Sequence, residues 1–320
     1  MRAWMKSVSL SCSAVIVGMF VSNAAADPLD LTHVPADSRW LVHVDMDTAC
    51  KSSAWKEIYS RLQQRPDFQA KVAELEGIFK ARFPEDLHDV TVFGSKFGDK
   101  EAVVLVHATV DRRQVETLLS ASASYNSTPH GDHSVLTWDD RGETKYGGFF
   151  SDSLFVVADN QDRVGATFDV LDAKAASLKS DATLAKGSQA GVMVYVAGDE
   201  IAKLRQGNKA HSPLLGQMKA AWFSISEEKE DTLVRVNVDA NDAATATKMQ
   251  QAAEGMRAML NLAAGADDAK PIVQKLSDLV TQATVVVKES SVSVECHVPN
   301  KQIPALLDEA MAAGEAAKKQ

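Results

Sequence analysis

The sequence predicts an α+β protein made of two similar units, each a mainly antiparallel sheet with helices packed on one face. Three observations support this prediction. Short runs that alternate apolar and polar residues, as strands do, follow one another along the chain. Tight turns join these runs, which favours antiparallel pairing. Longer runs with apolar residues three and four positions apart, typical of helices, interrupt the strands.

The first 26 residues have the three parts of a secretory signal peptide. Arg2 and Lys6 form a basic start, residues 8–21 are mostly apolar, and the small residues 24–26 precede a cleavage site. The apolar stretch is shorter than the ~20 residues of a transmembrane helix, and no later segment comes close to that length. We therefore expect export to the periplasm or the extracellular space, with no transmembrane segment in the mature chain.

Composition and charge narrow the class of protein. A chain with 45% hydrophobic and 24% charged residues is typical of globular proteins. Removing residues 1–26 takes away two basic residues and no acidic one, so the net charge changes from −9 to −11. An acidic chain without a basic cluster is a poor candidate for binding nucleic acid. We therefore expect no nucleic-acid partner.

Residues 27–187 are predicted to form the first unit. Ser52 or Ser53 can cap the first helix, Pro66 begins the second, and Asp111 with Gln114 forms a capping box for the third. The predicted elements are, in order, strand 40–45, helices around 53–62 and 66–79, strands 90–93 and 102–110, a helix after 111, strands 134–138, 144–150 and 154–158, and helix 161–178.

Residues 188–320 are predicted to form a second, shorter unit of the same design, after a linker at 180–189. Segment 103–111 aligns without gaps on segment 231–239, and each ends on an Asp that can cap the following helix. A helix carrying Met249, Met256 and Met259 follows, and its methionines are expected in the core. The remaining predicted elements are helix 270–281, a hairpin of 283–288 and 291–298, and closing helix 302–316. The repeated order predicts a duplication.

The order of elements resembles a loosely defined set of uncharacterised exported bacterial proteins. The features that carry the resemblance are the signal peptide, the opening Pro35-Ala36-Asp37 followed by a strand, and the duplicated α+β units. Such a family has no agreed activity, so the resemblance implies no functional residue.

The segment from His130 to His133 is the most metal-like local arrangement. Two imidazoles three positions apart around Asp132 resemble part of a divalent cation site. Gly131 and Asp132 are also ordinary turn residues, and no third ligand lies nearby in the sequence. We therefore expect a loop with two exposed histidines rather than a metal site.

A second candidate cluster comes from strand alternation. His43 and Asp45 share one face of the first strand, and His107 lies on a later strand. If these strands are neighbours, the three side chains converge into a group that can hold a proton or a metal. The aligned position in the second unit is Arg235, which favours a solvated sheet face instead.

Cys50 and Cys296 are the only cysteines after residue 26, and they are a possible disulfide pair in an oxidising compartment. Two unrelated small buried residues are the alternative. The sequence has no GxSxG or SxxK motif and no glycine-rich phosphate loop. Gly147 and Gly148 lie within a strand pattern, where a bulge or a kink is expected.

These features favour an exported, non-enzymatic binding or scaffold protein with no cofactor and with a protein or small molecule as its partner. The alternative is a metal-dependent or acid/base hydrolase that uses the histidines and aspartate of the first unit. A concave pocket that gathers those groups would favour the hydrolase, and their dispersal in solvent would favour the binding protein.

Cleavage of the signal peptide is expected after Ala26. N-terminal sequencing of the exported protein should then begin at Asp27. Recovery of an intact Met1 terminus from the cytoplasm would contradict the prediction.

Overall fold

A computed structural model describes residues 29–96, 100–140, 142–180, 182–201, 215–266 and 271–309. The predicted signal peptide at 1–26 and the end of predicted closing helix 302–316 lie outside the described residues. The chain divides into two compact units, with the division between Val196 and Ala197. Both units combine helices with antiparallel strands, as the sequence predicts.

The first unit alternates strands and helices in the predicted order, with one additional strand. Its strands are β1 (Trp40–Asp45), β2 (Leu87–Gly94), β3 (Val103–Ala108), β4 (Asn126–His130), β5 (His133–Asp140), β6 (Glu143–Phe149) and β7 (Leu154–Ala158). Its helices are α1 (Met46–Ala49), α2 (Ser53–Leu62), α3 (Pro66–Phe79), α4 (Arg112–Ser120), α5 (Gln161–Leu171) and α6 (Ala182–Ala185). Short 3-10 turns lie at Leu31–His33 and Leu178–Ser180. The strand order is β1-β2-β3-β7-β6-β5-β4, and each strand pairs antiparallel with its neighbours.

Side-chain caps fix where the helices of this unit begin. Asp45 accepts a hydrogen bond from the Thr48 N–H at the start of α1, and Ser52 accepts one from Trp55 at the start of α2. Asp111 caps α4 in the predicted way. Because the first N–H groups of a helix have no partner within the helix, each cap removes an unpaired donor.

Helices contact both faces of the first sheet, whereas the sequence predicts helices on one face. Val44, Val90, Val106, Phe155 and Phe149 form one continuous row across five strands. Trp55 of α2 packs at one end of this row, and the Arg112 guanidinium of α4 lies 5.3 Å from the Phe149 ring at the other. Neighbouring residues on the opposite face pack beneath α5, where the Phe168 ring lies against Gly148. Helices therefore cover both faces of this sheet.

The second unit has the strands β9 (Met218–Glu228), β10 (Asp231–Ala240), β11 (Thr284–Lys288) and β12 (Ser291–Pro299), in the order β11-β12-β10-β9. Strand β8 (Val192–Asp199) spans the division between the units. Helices α7 (Ala243–Ala264) and α8 (Pro271–Gln282) follow β10, and residues 303–309 form the described part of α9.

One face of the second sheet packs against helices and the other is largely polar. Ala246 and Met249 of α7 pack on Val285, Val287 and Val292. On the opposite face, Arg235 pairs with Glu295 across β10 and β12 at 2.6 Å. Alternation along each strand separates these two faces.

The paired glycines of β6 mark close backbone contacts rather than the expected bulge or kink. A Cβ atom on Gly147 would lie 2.5 Å from the Val156 carbonyl oxygen, and one on Gly148 would lie 2.3 Å from the Ser134 carbonyl oxygen. The register of β6 with β7 is continuous through both positions, and its register with β5 extends to Gly147. These two glycines therefore let three strands approach one another without a side chain between them.

Replacing Gly148 with Ala is expected to lower the free energy of unfolding by about 1–3 kcal/mol, the usual cost of overpacking. Gly77→Ala is the matched control, because nothing lies within 4 Å of the added carbon on helix α3. That variant should gain up to about 1 kcal/mol from helix propensity. Urea denaturation followed by circular dichroism measures both values, and equal stability of the two variants would contradict the assigned role of Gly148.

Candidate functional site

The structure brings the predicted residues His43, Asp45 and His107 together at one end of the first sheet. The strands that carry them are not direct neighbours, because β2 lies between β1 and β3. Asp89 of β2 is opposite Asp45 on one side and opposite His107 on the other. The His107 Nδ1 atom lies 3.1 Å from Asp89 Oδ2.

His43 lies in the interior, whereas the sequence favours a solvated face. Its side chain shares a face with buried Leu41 and Leu105, and only 5% of the residue is exposed. The Nδ1 atom is 2.9 Å from the Thr91 hydroxyl, and the Nε2 atom is buried without a hydrogen-bond partner among the described residues. Burial lowers the pKa of His43, against the opposing charge of Asp89, which favours the neutral imidazole.

Asp45 is both a helix cap and a buried acid. Its carboxylate accepts the Thr48 N–H at 2.8 Å, and 4% of the residue is exposed. Burial raises the pKa of Asp45 to about 6, and the nearby carboxylates of Asp47 and Asp89 raise it further while the Thr48 hydrogen bonds lower it. This carboxyl therefore exchanges a proton near neutral pH, as acid/base groups do.

His88 belongs to the same group, and sequence analysis missed it. The β2–β3 register shifts between Leu87 and Asp89, so His88 occupies an irregular position in the ladder. Its Nδ1 atom is 3.3 Å from Asp47 Oδ2, and its ring centroid is 5.0 Å from that of His107. Simple alternation cannot place a residue at a bulge, because the bulge changes which face the side chain joins. The sequence feature that could have indicated His88 is its position next to Asp89 in a β-rich run.

The segment from His130 to His133 is a hairpin turn rather than a free loop. His130 and His133 face each other across the β4–β5 pair, with Gly131 at φ +61° in the turn. His130 Nε2 is 3.0 Å from Asp169 Oδ1, and His133 Nε2 is 3.1 Å from Asp172 Oδ1.

Helix α5 thus holds both of these histidines in place. The His133 ring also stacks on Phe168 at a centroid distance of 4.8 Å, and only 12% of its side chain is exposed. The expectation of two exposed histidines is therefore wrong for His133. Each imidazole has its own carboxylate partner, Asp169 for His130 and Asp172 for His133.

Cys50 and Cys296, the possible disulfide pair, are both free thiols in this structure. Cys50 is buried at the end of α1, where burial raises the pKa of its thiol and the nearby acids raise it further. Cys296 Sγ contacts the Leu279 carbonyl oxygen of α8 at 3.4 Å, in the other unit. Among the described residues, no three His, Cys, Asp or Glu side chains are arranged to hold a metal ion. No helix in those ranges is both long and apolar enough to cross a bilayer.

A cleft of about 600 Å³ opens between α2, α3 and the turn that precedes β2. Its lining residues are Tyr59, Gln63, Phe68, Gln69, Val72, Ala73, Glu76, Arg82, Phe83 and Glu85. Several of these apolar residues lie on helices that the sequence predicts, but the sequence indicates no functional role for them.

Hydrogen bonds fix the walls of this cleft. The Tyr59 hydroxyl donates to the Phe83 carbonyl oxygen at 3.1 Å, and the Phe83 N–H donates to Glu76 at 2.9 Å. Arg82 pairs with Asp86 at 3.0 Å beside them. The Tyr59 ring stacks on buried Trp55 and meets Phe68 edge to face. The walls are therefore held by contacts that do not need a ligand.

No family model matches the chain, and no curated protein does. Among solved structures it is similar to crystal form III of TP0453, with a TM-score of 0.45 and 10% identity over 89% of this chain and 99% of that chain. Crystal form IV gives a TM-score of 0.45 and 9% identity over 88% and 96%. Crystal form I gives 0.41 and 11% over 89% and 97%.

Asp45→Asn is expected to change how stability depends on pH. The folded pKa of Asp45, about 6, exceeds its reference value of 3.8. The folded state therefore holds more protons between these values, and stability falls as pH rises through this window. Asn still caps α1 but does not ionise, so the variant should gain stability relative to the natural protein from pH 4 to 6 and keep that gain above it.

Asp242→Asn is the matched control, because Asp242 also caps a helix through an N–H, that of Thr245. Hydrogen bonds from Thr245 lower the pKa of Asp242. Its contribution is present above the reference pKa and is lost at lower pH, so this variant should be the less stable one at neutral pH. Urea denaturation at several pH values measures both, and parallel curves for the natural protein and Asp45→Asn would contradict the assignment.

Proposed function

We propose that the chain is a non-enzymatic binding protein whose ligand occupies the cleft between α2 and α3. The observation that carries this proposal is the cleft itself, whose volume of about 600 Å³ falls within the ~300–1,000 Å³ typical of small-molecule sites. The polar side chains on strands β1 to β3 (His43, Asp45, His88, Asp89 and His107) form what we call the β1–β3 cluster. They mostly contact one another or neighbouring residues instead of facing such a space.

The lining of the cleft indicates the chemistry of its ligand. Tyr59, Phe68, Val72 and Phe83 supply apolar surface, which suits an aromatic or aliphatic body. Arg82 is paired with Asp86 and also interacts with Glu85, so this one cation faces several carboxylates and the charge around the cleft is negative overall. A small amphipathic molecule with a cationic or hydrogen-bond-donating group fits this balance.

An acid/base hydrolase built on the β1–β3 cluster is the second candidate. The observation that favours it is the convergence of buried His43 with Asp45, whose pKa is about 6, and with the His88–His107 pair. Against it, Asp45 is occupied as a helix cap and the histidines contact neighbouring side chains. His43 and Asp45 are buried away from solvent, so a substrate could not reach the two of them directly.

Export and duplication belong to the same proposal. Export rests on residues 1–26 alone. Duplication rests on strand order. In the first unit the β2–β3 hairpin is followed by α4 and the four-strand meander β4–β7, and in the second the β9–β10 hairpin is followed by α7, α8 and the β11–β12 hairpin. In each unit the last strand returns beside the first hairpin. The returning pairs are β3–β7 in the first unit and β10–β12 in the second. Two copies of one ancestral unit would have this order.

Filling the cleft is expected to abolish ligand binding without unfolding the protein. Ala73 is exposed and lines the cleft, so Ala73→Trp places an indole in the space. Ala70→Trp is the matched control on the same helix, because Ala70 is exposed and is not a lining residue. Thioflavin T, a cationic aromatic dye, serves as the probe, and 1-anilinonaphthalene-8-sulfonate is its anionic counterpart.

We expect thioflavin T to bind the natural protein and Ala70→Trp with similar affinity, and Ala73→Trp at least about tenfold more weakly, a loss of roughly 1.4 kcal/mol. The anionic dye should bind weakly to all three. Equal binding by the two Trp variants would contradict the cleft as the site. Turnover of ester or phosphate substrates that is lost in His107→Gln would favour the hydrolase instead.

A further inference from the structure

Two aromatic rings in the cleft stand nearly at a right angle to each other. The Tyr59 and Phe68 rings have centroids 6.0 Å apart and an interplanar angle of 81°. Both residues line the cleft and are half-buried, as is Phe83, a third aromatic residue of the lining. Rings at this angle form two walls of a corner. We call Tyr59, Phe68 and Phe83 the aromatic corner.

The aromatic corner is held in place by the protein interior. Buried Trp55 stacks on Tyr59 at a centroid distance of 5.6 Å. The Tyr59 hydroxyl donates a hydrogen bond to the Phe83 carbonyl oxygen. All three residues of the corner pack against the buried cluster that contains Trp55. A ligand therefore meets rings whose orientation is already set, so little conformational freedom is lost on binding.

Negative charge lies beside the aromatic corner. Burial raises the pKa of Tyr59, and the charges of Glu85 and Glu76 raise it further. Both of these carboxylates belong to residues of the lining. Arg82 pairs with Asp86 and also interacts with Glu85, so the carboxylates outnumber this guanidinium. A cation in the corner would therefore gain electrostatic energy.

Several hydrogen-bond acceptors of the lining already have a partner. Glu76 Oε1 accepts the Phe83 N–H, and the Phe83 carbonyl oxygen accepts the Tyr59 hydroxyl. The Gln63 carbonyl oxygen accepts the side-chain amide of Gln69. A primary ammonium has three N–H donors, and each needs a new acceptor once its water is removed. A quaternary ammonium has no N–H donor, so ring faces and nearby negative charge are enough to hold it.

We propose that the cleft selects ligands with a quaternary ammonium group, which lies in the aromatic corner. This inference rests on the cleft being the binding site, as proposed above. Cation–π attraction acts within about 6 Å of a ring centroid. Because the Tyr59 and Phe68 centroids are 6.0 Å apart, one cation can lie within that distance of both rings. The rest of the cleft then holds the apolar body of the ligand.

The same features disfavour other ligands of similar size. An anion would be repelled by Glu76 and Glu85. A neutral apolar molecule would contact the rings but would gain nothing from the carboxylates. A primary amine would gain from the charge but would lose the water bound to its N–H groups.

Three small molecules with one shared skeleton test the proposal. Choline carries a trimethylammonium group, ethanolamine has a primary ammonium in its place, and 3,3-dimethyl-1-butanol replaces the quaternary nitrogen with carbon. Each is titrated into the natural protein with thioflavin T bound, and the loss of dye fluorescence measures displacement. We expect choline to displace half of the dye at a concentration at least about tenfold lower than either analogue.

Substitutions of Phe68 separate the ring from its apolar surface. Phe68→Leu keeps an apolar side chain without a ring, so it should remove most of the preference for choline over 3,3-dimethyl-1-butanol. Phe68→Tyr keeps the ring and should keep the preference. A purely structural role for Phe68 would change the binding of both molecules equally.

A substitution of Glu85 tests the charge. Glu85 is exposed, so Glu85→Gln should fold and should weaken choline binding about two- to fivefold, the usual range for an exposed charge pair. Binding of 3,3-dimethyl-1-butanol should not change. Glu254→Gln is the matched control, because it removes the same charge from an exposed position in the second unit.

Several outcomes would overturn this inference and leave the cleft as the site. They are ethanolamine or 3,3-dimethyl-1-butanol displacing the dye as well as choline does, and choline not displacing it at all, while Ala73→Trp still loses the dye. Thioflavin T that does not bind the natural protein, or that binds Ala73→Trp equally well, would instead contradict the cleft itself and this inference with it.

Discussion

The antiparallel register of β1, β2, β3, β7 and β6 is the constraint on which the first unit depends. Because side chains alternate along each strand, this register sorts residues into rows on opposite faces. One row runs from Val44 to Phe149, and the next runs from His43 to Gly148 on the other face. A slip of one residue would move Asp89 into the apolar row and move the valines to the face that carries His43. The helix positions, the glycine contacts and the polar cluster all follow from this register.

The register places the residues of the polar cluster at positions where burying a charged group is costly. A buried polar group is destabilising unless it has a hydrogen-bond partner. Thr91 satisfies one nitrogen of His43, the Thr48 N–H satisfies Asp45, and Asp89 holds His107. The unpaired Nε2 of His43 is the exception. A cluster in which most polar groups have hydrogen-bond partners needs no ligand to be stable. It therefore supports a binding protein with its site elsewhere better than it supports an enzyme.

Sequence patterns predicted the parts of the fold that depend on local physics. Alternation placed His43 and Asp45 on one face, and capping residues placed the starts of α2 and α4. What alternation could not give was strand order, because Asp89 reaches the cluster only once β2 lies between β1 and β3. Strand β4 is not among the predicted elements; it contains Pro129, a residue that a sheet tolerates at an edge. The cleft could not be predicted, since it depends on the angle between two helices.

The α7 methionines show most clearly that a local sequence pattern does not by itself determine which side chains are buried. Met249 and Met256 are seven positions apart, so they lie on nearly the same face of the helix, yet Met249 packs in the core and Met256 is 66% exposed. The difference comes from what lies beneath. Helix α7 has 22 residues, which makes it ~33 Å long. Edge strand β11 has five residues and spans ~17 Å, so at most about half of α7 can lie over it in any orientation. The first half of α7 therefore packs on the sheet, and the second half carries its apolar side chains past the strand.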